Sequence, residues 1–185
     1  MGAQFRTAAV VYGPGDDVDA ALSTAVAALI RNGRIVAGVL QRFGARVAPG
    51  KREMLLDVLP EGETIRLDDP RGPGVQGCIL DSDALARATM AFRAAVASEP
   101  DLLLASRFGK EEVAGHGMRA ELAEAMLAGI PLLVPVRAIQ LPDWIAFLGT
   151  PSEVLAPQAD AILAWAASQR ASRPVFVPRS VRGAS

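Results

Sequence analysis

The sequence predicts a three-layer α/β fold, with a mostly parallel sheet covered by helices on both faces and an antiparallel hairpin extension at one edge. Short continuous apolar runs such as Leu102-Leu103-Leu104 have the pattern of strands buried on both faces. Segments of helical period alternate with those runs. The chain's 185 residues, 51% of them hydrophobic, suffice for one core of this kind but not for two. A single α/β domain over residues 1–170 and a basic tail over 171–185 are therefore expected.

Thr7–Tyr12 reads as the first buried strand, stopped by Gly13-Pro14-Gly15. Asp16 or Asp17 can cap the helix that follows, whose apolar face is Val18, Leu22, Val26, Leu29 and Ile30 and which ends at Asn32-Gly33. Ile35–Leu40 is the next strand. Glu53–Leu59 and Thr64–Leu67, joined by Pro60-Glu61-Gly62-Glu63, read as a β-hairpin. A Gly/Pro-rich loop over 69–77 leads to a helix capped by Asp81, Ser82 or Asp83, with a face of Leu85, Thr89, Phe92 and Val96. Asp101–Ala105 is a strand, and a polar loop runs from Ser106 to about Gly117. The next helix carries Met118, Leu122, Ala125 and Met126 and stops at Gly129. Pro131–Val136 is another strand. Pro142–Leu148 and Asp160–Ala167 are helical pieces whose Trp144 and Trp165 pack on the sheet. The tail holds Arg173, Arg179 and Arg182 with no acid, and reads either as a loose terminus or as a strand or partner-binding segment at Pro174–Pro178.

Composition excludes several classes. Lys and Arg number 19 against 20 Asp and Glu, so there is no global electrostatic footprint for nucleic acid. One Cys excludes a disulfide framework and a Cys-rich zinc site, and one His excludes a His-based metal cluster. The longest uncharged run, Ala125–Val136, is short and contains two prolines, so no membrane insertion is expected. There is no signal-peptide pattern, and Arg6 stands where a myristoylation site needs Ser or Thr. A cytoplasmic protein is the expectation. Among the 19 basic residues only Lys51 and Lys110 are lysines, so a lysine within a motif stands out.

Two places are positioned for chemistry. The first strand-to-helix turn, where α/β proteins usually bind ligand, reads Gly13-Pro14-Gly15-Asp16-Asp17-Val18-Asp19-Ala20. A phosphate-binding loop has Gly-x-x-x-x-Gly-Lys-[Ser/Thr] there. With Gly13 on its first glycine, Val18 falls on the second, Asp19 on the lysine and Ala20 on the hydroxyl residue. The groups that would neutralise phosphate and ligate magnesium are gone. Asp16, Asp17 and Asp19 oppose a triphosphate, and a helix dipole of about half a charge cannot offset three carboxylates. These acids suit helix capping, and no further carboxylate is obviously placed to complete a metal shell.

The second place is Ser106-Arg107-Phe108-Gly109-Lys110-Glu111-Glu112. In P-loop enzymes the corresponding strand ends in a magnesium-ligand Asp, often followed by a catalytic Glu. Ser106 and Arg107 stand at those positions, so neither metal coordination nor water activation comes from them.

The order of pieces resembles the small thermophile-type nucleoside-triphosphatases, whose Asp-Glu-Ile-Gly-Lys-Met-Glu motif is matched at Gly109, Lys110 and Glu112 and lost at its first two acids. More closely, Tyr12–Gly15, Arg71–Cys78 and Arg107–Lys110 resemble the Tyr-Gly-Pro-Gly turn, Arg-Gly-Pro-Gly-x-x-Gly-Cys loop and Arg-Phe-Gly-Lys loop of a bacterial family known only as a domain of unknown function. The resemblance spans about residues 6 to 166 and implies a P-loop-like fold. Some members are associated with molybdate-transport ATPases, which implies a link to molybdenum handling.

Arg71, Gly72, Gly74 and Gly77 either present an anion-binding loop or form an ordered connection. Cys78 reads as a structural thiol, and His116 as surface or site. The leading expectation is a non-hydrolysing P-loop-like protein that binds a small anion or nucleotide in a regulatory or accessory role. Its candidate ligand-binding residues are Gly13, Gly15, Asp16, Arg71, Gly72, Gly74, Gly77, Arg107, Gly109 and Lys110. The motifs require no cofactor, no metal ligand is assigned and no catalytic residue is assigned. Two alternatives remain: a divergent nucleotide hydrolase or phosphotransferase using Arg107, Lys110 and Glu112, and an interaction module that forms a homodimer through an exposed strand edge or the hairpin.

Overall fold

The computed structural model describes residues 6–68 and 81–171. Its elements run in the order β1 (Thr7–Tyr12), α1 (Val18–Arg31), β2 (Val36–Ala48), β3 (Lys51–Leu59), β4 (Thr64–Arg66), α2 (Ser82–Ala97), β5 (Leu102–Leu104), α3 (Lys110–Val113), α4 (Arg119–Leu127), β6 (Leu132–Arg137), α5 (Leu141–Leu148), β7 (Glu153–Leu155) and α6 (Ala159–Ala171). A short 3₁₀ turn, Ala138–Gln140, joins β6 to α5. The seven strands make one sheet in the order β4-β3-β2-β5-β6-β1-β7. The pairs β2–β5, β5–β6, β6–β1 and β1–β7 are parallel, while β3 and β4 extend the sheet antiparallel. This is the expected α/β architecture, and it is consistent with a P-loop-like fold.

The apolar strands separate two cores by their period of two. In β1, Ala8 and Val10 face one side with Leu22, Val26, Ile162 and Trp165. Ala9 faces the other, with Phe92, Leu122 and Trp144. Thus α1 and α6 cover one face and α2, α4 and α5 the other, and the two tryptophans pack on opposite faces. All three β5 leucines are buried, as a doubly covered strand requires.

Gly38 lets β2 approach β5. A Cβ built there would stand 2.1 Å from Leu104 O, and the residue sits at φ +119°.

The structure departs from expectation in several places, among them α3 within the expected polar loop and the exposure of Ile30 and Ile35. β2 runs on from Leu40 to Ala48, where it pairs only with β3 and is largely exposed. That half is polar and irregular, with register shifts at Phe43/Arg46 and Arg46/Ala48, so no apolar run announces it. The predicted hairpin is present as β3–β4, with Leu55 opposite Arg66, but the longer ribbon is β2–β3. β7 is short and only partly covered, and the sequence reading assigns no element there. The buried line of α2 is Ala84, Ala88, Phe92 and Ala95, with the expected Leu85 and Val96 flanking it. Three of these four are alanines, which carry a weaker apolar signal than the larger side chains that flank them.

No helix among the described residues is long and apolar enough to cross a membrane. The basic tail lies outside the described residues.

The chain leaves β1 toward β2 and leaves the adjacent β6 toward β7, on the other side of β1. The C-terminal ends of β1 and β6 therefore flank a topological switch point, where α/β sheets present ligand crevices.

Candidate functional site

The turn after β1 closes on its own carboxylates. Gly13 N–H donates to Asp16 Oδ2 (2.7 Å), and Asp16 N–H returns to Gly13 O (3.3 Å). Asp17 is the N-cap of α1, its Oδ1 accepting from Ala20 N–H at 3.0 Å. Two of the donors that a phosphate loop would aim at an anion are thus taken by Asp16 and Asp17.

Asp19 does something else. Its Oδ1 accepts from Arg107 Nη2, forming an ion pair between groups 88 positions apart. The Arg107 side chain also donates from Nη1 to the Tyr12 hydroxyl (2.9 Å). Its guanidinium carbon lies 5.1 Å from both the Tyr12 and Phe43 ring centroids. Burial pushes the Asp19 carboxyl above its ordinary value, and the Arg107 guanidinium opposes that rise. Aligned on the phosphate-loop motif, the lysine position holds an acid and the catalytic-acid position holds a base. The exchanged charges meet across the site.

A cavity of about 430 Å³ surrounds the pair, lined by Gly15, Asp16, Asp17 and Asp19 on one side and Arg42, Phe43 and Arg52 on the other. The β2–β3 ribbon supplies the second wall. Arg42 is held by Asp57 through Nε to Oδ2 (2.5 Å) and Nη2 to Oδ1 (3.1 Å). Burial alone would raise the Asp57 carboxyl, but hydrogen bonds from Arg42 and Thr64 carry it below the ordinary carboxylate range. Arg52 donates to Gly44 O and Phe43 O, which braces the strand behind Phe43.

The loop after β5 is anchored by Phe108. This residue is buried, bridges to Val136, and lies 5.2 Å from Trp144 in an edge-to-face contact. Its neighbours in sequence then diverge, with Arg107 directed to Asp19 and Lys110 opening α3. Glu112 is buried and takes Gly109 N–H (2.8 Å) on Oε2 and Met118 N–H (3.1 Å) on Oε1. The carboxylate brackets the loop with both oxygens. Gly117 leaves room for it, since a Cβ there would stand 2.2 Å from Glu112 Oε1. The Gln140 amide, oriented to satisfy both contacts, accepts from Lys110 N–H (3.0 Å) and donates to Phe108 O (3.2 Å).

Lys110 itself is exposed and makes no ion pair among the described residues. With Gln41, Ser106, Arg107 and Gly109 it lines a second groove of about 330 Å³, whose floor includes Met54, Leu56 and Leu85.

Of the sequence-derived candidates, Arg107, Gly109 and Lys110 come together in this groove, and Gly15 and Asp16 share the other cavity with Arg107. Gly13 stands apart, on a crevice between β1 and β6. Arg71, Gly72, Gly74 and Gly77 lie outside the described residues, as does Cys78. His116 is exposed, and its backbone N–H donates to Glu111 O. Sequence reasoning missed Tyr12 and Phe43 as the rings flanking Arg107, and missed Asp19 as its partner. Tyr12 stood within the quoted turn motif, whereas Phe43 lies on the strand extension that no apolar pattern marks.

The chain is 36% identical over 160 residues to "Molybdenum import ATP-binding protein ModC 2" of Bradyrhizobium diazoefficiens (strain USDA 110). The match takes in 86% of this chain but only 18% of that relative's length. A family model matches residues 7–165, from the start of β1 into α6, and the chain belongs to that family, described as "Protein of unknown function (DUF2478)".

Proposed function

We propose that the protein is a non-hydrolysing P-loop-like module that binds a small oxyanion or the phosphate of a nucleotide in a regulatory or accessory role. The carrying observation is the Asp19–Arg107 pair. A triphosphate at this turn would need a cation at position 19 and an acid near position 106. It meets the reverse, and two of the turn's amides are already committed to Asp16 and Asp17. Among the described residues around this turn and the β5 loop, Glu112 is the acid nearest the place of a hydrolytic carboxylate, and its oxygens are used by backbone amides, which supports a non-hydrolysing role.

What remains for an anion is the groove with Lys110 and Arg107 at its rim and Ser106 and Gln41 beside them. Lys110 makes no ion pair among the described residues, and with that hydroxyl and amide it suits a small tetrahedral oxyanion, although Glu111 and Glu112 also line the groove, Glu112 with both oxygens taken by backbone amides. The relative's printed name supports a role beside molybdenum import, and the 18% coverage favours an accessory unit of a longer assembly. Under this reading residues 1–170 act as one unit, and Gly13, Gly15 and Asp16 shape the latch for Arg107 rather than hold the anion.

Titration calorimetry with molybdate and with sulfate tests the reading. Wild-type protein takes up the oxyanion, and Lys110→Ala weakens uptake about tenfold, the cost of one charge-assisted hydrogen bond. Equal affinity in the two proteins, or no uptake by either, refutes it.

A further inference from the structure

The crevice at the switch point is used by none of the chemistry above. It has a volume of about 420 Å³ and is lined by Tyr12, Gly13 and Pro14 from the end of β1 and by Arg137, Ala138 and Ile139 from the end of β6. The geometry points to a second binding site here, for a small organic anion with a flat apolar body and one anionic group.

Three observations carry this. First, the crevice opens between the C-terminal ends of two parallel neighbours whose connections leave in opposite directions, which is where open α/β sheets bind ligand. Its volume is within the range of small-molecule sites. Second, its walls are largely apolar, and Ile139 at its lip is 83% exposed. An isoleucine left that open gains from any flat apolar body laid on it, by roughly 25 cal/mol for each Å² covered. Third, the charge is single and directional. Gly13 N–H is occupied by Asp16, Pro14 has no N–H, and the walls otherwise offer Ala138 and Ile139 side chains. Arg137 is exposed, and its guanidinium has no partner among the described residues. One free guanidinium beside an apolar wall selects one anionic group on an apolar body, and a bare oxyanion would leave the wall unused.

Tyr12 gives the site a consequence. It lines both this crevice and the Arg107 cavity, and its hydroxyl accepts from Arg107 Nη1. A ligand that shifts Tyr12 therefore acts on the Asp19–Arg107 pair. Arg137 and Lys110 line different cavities, so a substitution at one tests its own site without removing a lining residue of the other.

Amide and arginine side-chain NMR of the full chain tests the inference, with adenosine monophosphate and 1-anilinonaphthalene-8-sulfonate as flat anions. Inorganic phosphate and adenosine serve as the charge and the body alone. At least one flat anion is expected to shift Tyr12, Gly13 and Arg137–Ile139 saturably. At the same concentration phosphate and adenosine leave those signals in place. Arg137→Ala weakens the response about tenfold or more, while Arg137→Lys retains part of it. Because Arg137 is exposed and has no side-chain partner among the described residues, both variants are expected to fold, and the undisturbed remainder of the spectrum checks this. The inference is overturned if neither flat anion shifts these residues, if phosphate alone reproduces the shifts, or if Arg137→Ala binds as wild type.

Discussion

Removing either partner of the Asp19–Arg107 pair strands a charge that is mostly shielded from water, since the side chains are 18% and 14% exposed. Arg107→Ala also empties the space between Tyr12 and Phe43 and orphans the Tyr12 hydroxyl. Chemical denaturation is expected to show a loss of about 2–3 kcal/mol for Arg107→Ala. Arg107→Lys recovers little of it, because an ammonium cannot reach Asp19 and Tyr12 in the same planar fork. A difference under about 0.5 kcal/mol between Arg107→Ala and wild type would show that the pair holds nothing together. Asp68 offers a pH test. It is buried, and burial alone would raise its carboxyl, but Arg66 and the Met54 N–H bring it below the ordinary range. A carboxyl depressed in the folded state contributes stability above its unfolded pKa of about 4, and loses it as pH falls through the lower folded value. Asp68→Asn is therefore expected to cost most at neutral pH and progressively less below about pH 4. A pH-independent deficit would contradict that. At this scale the sequence revealed each aspartate as a candidate cap, and Asp17 is one. The pairing of Asp19 was invisible because it depends on where β5 delivers a residue 88 positions away.

The core strands β1, β5 and β6 are legible because burial on both faces demands continuous apolar runs, and those runs are in the sequence. The outer half of β2 obeys a different rule. Beyond Leu40 its only strand partner among the described residues is β3, most of its residues face water, and polar side chains there carry no burial signal. Phe43, which closes the Arg107 cavity, was lost with it. Two element-level substitutions separate these regimes. Gly38→Ala drives a Cβ against Leu104 O at a backbone angle that L-residues rarely adopt. It should destabilise by about 3 kcal/mol or more and loosen β2 from β5, read as loss of amide protection at Val36–Gly38. Unchanged protection would show that the strands do not approach this closely. Phe108→Ala should cost about 3–4 kcal/mol from the cavity left beside Trp144 and Phe147. Under the proposed function it should also weaken oxyanion uptake, because Phe108 sets where Arg107 and Lys110 emerge. Retained affinity in this variant would mean that the loop positions itself without its aromatic anchor.

As a whole, the molecule keeps the P-loop-like sheet order and presents reversed charges at the strand ends where that architecture binds phosphate. The fold class could be read from strand–helix alternation alone, and the loss of the phosphate-loop lysine from a single aligned position. How the site is filled instead could not be read, because it is assembled from β1, α1, β2, β3 and the β5 loop, five pieces that only the folded sheet brings together. The proposed function rests centrally on the charges at Asp19 and Arg107, which favour binding without hydrolysis. Phosphate release from ATP, measured on the wild-type protein with excess magnesium, tests it most directly. The account predicts no turnover above the protein-free rate. Magnesium-dependent turnover that disappears in Lys110→Ala would contradict it.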